Sequence, residues 1–232
     1  MKTKYDPEKI FTKEFLSKIS HNSRSPFNGL LGFSELFLLN QKRIKPESVN
    51  DYLLRINMLA KKAFISSENM VLFLKIYSNN IDPIISSTSF KTILDQSFNL
   101  NKEAFEIKKV VFQNNIQNDF TINCDAYLTG SILSNIILKS IKLCDDQSKI
   151  TISSKEINGK QHISVEYTGM KIESEIVQDY FSSENYDMTK LFSPELDIEL
   201  WLCINLSVIQ GFKFGVTFQY DKNTTSTFLL EA

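Results

Sequence analysis

Between residues 47 and 79 the side chains that would line a helix keep a regular count. Val49, Leu53, Ile56, Ala60, Ala63, Ser67, Met70, Leu74 and Tyr77 follow one another at alternating spacings of four and three. Those spacings bring positions onto one line only in an α-helix, and a line this long is the seam of a helix packed against other helices. A second such line precedes it. Leu16, Ile19, Ser23, Pro26, Leu30, Phe33 and Phe37 recur at spacings of three and four, predicting a helix over about 7–40. Pro26 and Gly29 lie inside it and are expected to bend it. The polar turn from Asn40 to Pro46 separates the two helices. A hairpin joined by so short a turn leaves much apolar surface uncovered, so the expectation is a four-helix bundle formed by a homodimer.

After Asn79-Asn80-Ile81-Asp82-Pro83 the pattern changes to alternating helix and strand. Strands are predicted near 86–90, 109–114, 119–124, 149–155, 161–167, 212–220 and 225–230. Helices are predicted over about 91–104, 126–143, 173–181 and 195–210, with an irregular polar stretch from Ser182 to Lys190. Asn158-Gly159 between two strand patterns is a hairpin signal. The predicted fold class is α plus α/β: a helical hairpin over residues 1–80, then over residues 86–232 an α+β sandwich, a mixed sheet covered on one face by helices.

Composition removes several functions. The net charge is −1 with both signs interspersed, which leaves no electrostatic footprint for nucleic acid or an anionic membrane. Cys124, Cys144 and Cys203 are far apart and lack CxxC spacing, which argues against a zinc site or a disulfide framework and suits a reducing cytoplasm. No stretch has the length of a membrane span, and the N-terminus lacks the apolar run of a signal peptide. The expected location is cytoplasmic, for the whole chain or as the cytosolic part of something longer.

Only two histidines occur, and His21 falls on the polar side of the first helix beside Glu14, Ser17, Arg24, Ser25 and Asn28. At 100° per residue it projects about 180° from the apolar line. A solvent-facing imidazole titrates near neutral pH and can attack a phosphoryl group. His162, in an alternating strand, reads as a structural or surface residue, and Trp201 as core.

The run His21-Asn22-Ser23-Arg24-Ser25-Pro26-Phe27, preceded by Phe15 and Ile19-Ser20 and followed by Gly32-Phe33-Ser34-Glu35-Leu36, resembles the phosphoacceptor motif of bacterial sensor histidine kinases. The resemblance covers nearly the whole chain. It implies a dimerisation and phosphotransfer hairpin followed by an ATP-binding sandwich, with His21 as phosphoacceptor, Arg24 and Ser25 as phosphate or partner contacts, and a response-regulator receiver domain as partner.

The nucleotide machinery departs from that family. Lys139 stands where the family places a magnesium-binding asparagine, and an ammonium has no lone pair for a cation. Asn135 matches a further, less critical asparagine. Tyr167 replaces the adenine-binding carboxylate, in Tyr167-Thr168-Gly169-Met170-Lys171. Asp197 and Glu199 replace the glycines of the phosphate loop, where their charge repels phosphates. Thr225-Ser226-Thr227-Phe228 and Asp179-Tyr180-Phe181, similar to structural segments of the family, persist. Asn22 replaces the glutamate that serves the family as a base, and an amide accepts no proton. The expectation is a histidine phosphotransferase that relays phosphoryl groups through His21 with no ATP, cofactor or metal. The alternatives are a non-catalytic pseudokinase that sequesters a partner, and a divergent active kinase. Lys139 and Lys171 are too thin a basis for an anion site in the old pocket.

Overall fold

The computed structural model describes residues 13–40, 42–170, 198–220 and 224–232. Two long helices open it, α1 (Lys13–Asn40) and α2 (Pro46–Tyr77). Pro26 lies inside α1 without ending it. The turn closes by Arg43 and Ile44 N–H groups donating to the Asn40 carbonyl, at 2.7 and 3.0 Å. Pro46 then starts α2, its fixed φ already suited to a first helical turn, and Lys45 before it is extended as a pre-proline residue must be. Phe37 meets Tyr52 across the hairpin with ring centroids 5.8 Å apart.

The second half follows as β1 (Ser86–Ser89), α3 (Phe90–Lys108), β2 (Val111–Asn114), β3 (Thr121–Cys124), α4 (Ala126–Leu143), β4 (Lys149–Ile157), β5 (Lys160–Thr168), α5 (Ile198–Ile209), β6 (Lys213–Tyr220) and β7 (Thr224–Glu231). The five-stranded sheet runs β2-β4-β5-β7-β6, with β2 parallel to β4 and the other pairs antiparallel. β1 and β3 do not join it; they form a separate antiparallel ribbon. Asn158 and Gly159 take the positive φ values, 53° and 75°, of a tight hairpin between β4 and β5. The expected helix near 173–181, the polar stretch Ser182 to Lys190 and the segment Asp179-Tyr180-Phe181 lie outside the described residues.

In β4, β5, β6 and β7 alternating residues are buried: Ile150 and Ile152, Ile163, Val165 and Tyr167, Phe214 and Val216, Phe228 and Leu230. That period of two puts one face of the sheet against α3, α4 and α5. α4 is held at its start by Asp125, which accepts from the Tyr127 and Leu128 N–H groups at 3.0 and 3.1 Å. Its other carboxylate oxygen takes the Ile84 N–H at 2.8 Å, tying down the chain that leaves the hairpin. α5 is apolar on all sides because it packs against α2, α4 and β6 at once.

α2 has a face that the periodicity did not announce. Ile65, Asn69, Leu72, Phe73 and Ile76 are buried, and the last three belong to the same hydrophobic core as the sheet. Phe73 stands 5.1 Å from Trp201 of α5, ring centroid to ring centroid. Of the regular seam, Leu53 and Leu74 remain 49% and 53% exposed. The hairpin therefore docks on the sandwich with one side and leaves these two leucines of the seam open, while Ala63 of the seam is buried and Met70 packs against the core.

Candidate functional site

His21 is exposed on α1. Ser17, Arg24 and Ser25 lie about one turn of helix from it and Asn28 two turns on, and these residues line an open hollow with it along α1. On its other side His21 borders a cleft of about 400 Å³ between α1, α2, α4 and the start of α5. The helical phase of α1 thus gives the imidazole two outlooks, one to solvent and one toward the sandwich.

The positions that would hold nucleotide in the family resembled occupy different surroundings. Lys139 of α4 lines the cleft. Glu199, at the start of α5, accepts a 2.7 Å ion pair from Lys142, one turn along α4 from Lys139. Tyr167 does not face the cleft: it is 1% exposed and its hydroxyl donates to the Met170 carbonyl at 3.2 Å. Burial pushes that phenol up to about 12. Asp197 and Lys171 lie outside the described residues. Cleft and hollow together hold His21, Arg24, Ser25, Lys139 and Glu199; Tyr167 is in the core.

Asn135 is buried on the side of α4 that meets α2. Its amide and that of Asn69 exchange two hydrogen bonds, at 2.8 and 3.0 Å. The residue matching a family asparagine is thus engaged in holding two halves of the chain together. Gly169, the glycine kept from the adenine loop, is also structural. A Cβ there would fall on the Leu143 carbonyl oxygen and within 2.7 Å of the Cys144 Cα, where β5 closes onto the end of α4.

Sequence reasoning missed Lys62 and Lys142, which also line the cleft. Burial, then the charge of Lys142, lowers the pKa of Lys62. Lys142 was findable as a second lysine three positions after Lys139 on one helix face. Lys62 was not, because nothing in the seam told which side of α2 would meet the sandwich. Among the described residues no group of His, Cys, Asp and Glu side chains is arranged to hold a metal ion, and no helix is long and apolar enough to cross a membrane.

No family model matches the chain. A Brucella abortus protein described as the cell-division control histidine kinase PdhS is 25% identical over 170 residues, 71% of this chain. The chain spans 16% of the length of that relative. Among solved structures, the Acinetobacter baumannii histidine kinase AdeS covers 91% of this chain at a TM-score of 0.56 and 15% identity, with 96% of its own chain matched. Full-length histidine kinase ShkA, solved with AMPPNP, covers 96% at a TM-score of 0.56 and 19% identity, with 46% of its chain matched. Histidine kinase ThkA, solved in complex with the response regulator TrrA, covers 94% at a TM-score of 0.52 and 18% identity, with 61% of its chain matched. The chain has the fold of a sensor histidine kinase core, a helical hairpin with an ATPase-like sandwich.

Proposed function

We propose that this histidine-kinase core fold serves as a phosphoryl relay, in which His21 exchanges a phosphoryl group with the aspartate of a response-regulator receiver domain and ATP takes no part. The observation that carries the reading is the burial of Tyr167, 1% exposed with its hydroxyl donating to the Met170 carbonyl, at the position where the family resembled binds adenine. Adenine would find no carboxylate at the buried Tyr167, and a nucleotide's magnesium ion would meet the Lys139 ammonium in place of a ligand.

The exchange needs little from this chain beyond position. The lone pair of a neutral imidazole nitrogen attacks the phosphorus in line, the P–N bond forms as the acyl P–O bond breaks, and the aspartate leaves as carboxylate. The proton on the other ring nitrogen passes to solvent. Asn22 is then no handicap, since an acyl phosphate is an activated donor and the partner brings its own metal ion. Arg24, one turn from His21, is placed to steady the transferring oxygens. That a histidine kinase of this fold is solved with a response regulator supports the choice of partner. A second copy of the chain supplies the bundle: Phe27, Leu31 and Leu38 of α1 are 45%, 60% and 61% exposed, and Leu53 and Leu74 of α2 stand open with them.

The test is transfer from ³²P-labelled receiver domains of the same organism to the purified chain. Label is expected on the wild type and on Asn22→Ala, none on His21→Ala, and none when labelled ATP replaces the receiver. A second reading, a divergent kinase, is favoured by His21 bordering the cleft in its own chain, and label from ATP would establish it. Tight binding of a receiver domain with no label from any donor would leave a pseudokinase that sequesters its partner.

A further inference from the structure

The cleft beside His21 has more cationic charge than its own residues answer. Lys62, Lys139 and Lys142 all line it, and among the described residues that border it the one carboxylate is Glu199, taken by Lys142. Lys62 is partly buried and has no hydrogen-bond or ion-pair partner among the described residues. A half-buried ammonium beside a like charge is costly to keep, and its surroundings accept an anion readily. The anion that the proposed chemistry would create carries about two negative charges, and it would be attached to the ring that borders this cleft.

We infer that the cleft is a resting site for the phosphoryl group of phospho-His21, with Lys62 and Lys142 as its cationic walls. The inference rests on His21 as phosphoacceptor. Turned inward, the phosphoryl group exchanges water for two ammonium groups and the wall of α2 and α4. Turned outward, it stands in the hollow with Arg24, open to a receiver domain. The inward state slows hydrolysis, in which a water oxygen attacks phosphorus, the P–N bond breaks, imidazole takes the proton and orthophosphate leaves. The site is a store for the phosphoryl group between partner visits. Glu199 opposes it by holding Lys142, so the strength of the store depends on the balance between the lysines of the cleft and one carboxylate.

The purified chain can be loaded without any protein partner by phosphoramidate, which passes its phosphoryl group to the imidazole and releases ammonia. The lifetime of phospho-His21 is then followed by ³¹P NMR. Lys62→Met and Lys142→Met, which keep most of the side-chain bulk, are expected to shorten it about tenfold to a hundredfold, the effect of one charge-assisted hydrogen bond each. Glu199→Gln is expected to lengthen it. Opposite directions separate the site from simple loosening of the fold, which would shorten every lifetime. Equal lifetimes in all four proteins, or a shortening in all three variants, would overturn the inference, and so would failure of phosphoramidate to label His21. If phosphoramidate labels His21 and the lifetimes follow the charges while no receiver domain exchanges with it, the resting site stands and the relay falls.

Discussion

Asn69 and Asn135 exchange both hydrogen-bonding groups of their amides at positions 4% and 1% exposed. Such a pair is neutral to keep and expensive to halve, because the amide left behind loses its partner and cannot reach water. Asn135→Ala is expected to cost about 1–3 kcal/mol in urea unfolding. Asn69→Leu combined with Asn135→Leu should cost less than the sum of the two single changes, a coupling that a double-mutant cycle reads directly. The same pair marks the limit of what single residues told in advance. The exposed place of His21 on α1 was legible because the apolar phase of that helix is readable in the sequence. Asn69, Lys61 and Lys62 make the sandwich-facing side of α2 look like a solvent face in the sequence. Lys61 in fact pairs with Glu103 of α3 at 2.7 Å. Tyr167 continues the alternation of Ile163 and Val165, so its face was legible, whereas the flanking of β5 by β4 and β7 was not.

At the scale of elements, the helices and strands were legible where period and punctuation agreed, as in α4, whose start is set by Asp125 and whose apolar phase runs unbroken to Leu143. The pairing of strands was less so. β1 and β3 read like the others but form their own ribbon, since register is decided by contacts far along the chain. That ribbon positions α3 through Asp119, whose carboxylate accepts from the Ser89 hydroxyl at 2.7 Å and the Lys91 N–H at 3.0 Å. The Ser89 hydrogen bond, then the Lys91 N–H, holds the Asp119 pKa below its ordinary value. A depressed carboxylate stabilises the fold above its unfolded pKa, and that contribution is lost as pH falls through the folded value. Asp119→Asn should therefore lower the melting temperature at pH 7, and the gap to wild type should close on acidification below the usual carboxylate range. The open seam of α2 carries a different expectation. Each leucine removed from water contributes about 1.5–3 kcal/mol, so Leu53→Glu with Leu74→Glu should weaken self-association at least a hundredfold without unfolding the hairpin. Light scattering at micromolar concentration would show a dimer for the unchanged chain and a monomer for the variant; a wild-type monomer would end the bundle reading.

At the scale of the molecule, the hairpin and the sandwich are joined by a shared core rather than by a linker alone. Leu72, Phe73 and Ile76 of α2 enter the same cluster as α4, α5 and the sheet, and each is at most 3% exposed. Elements that bury one another in this way unfold together. Trp201 is the one tryptophan in the sequence, and its contact with Phe73 places it at the junction. Its fluorescence thus reports the docking of α2, while far-UV circular dichroism is dominated by the helices as a whole. The two signals are expected to fall in one coincident transition for the unchanged chain. Phe73→Ala removes the largest side chain that α2 contributes to the junction and leaves a void against Trp201, which large-to-small changes of this kind price at about 3–5 kcal/mol. The variant should show the fluorescence transition moving to lower denaturant ahead of the dichroism, as the hairpin leaves the sandwich before its helices melt. If both signals in the variant shift together by less than about 1 kcal/mol, the contact is incidental and the halves are held by something other than this core. The consequence reaches His21, because the cleft it borders exists only while α2 stays docked: the same variant should lose any protection of phospho-His21 while keeping its capacity to be labelled.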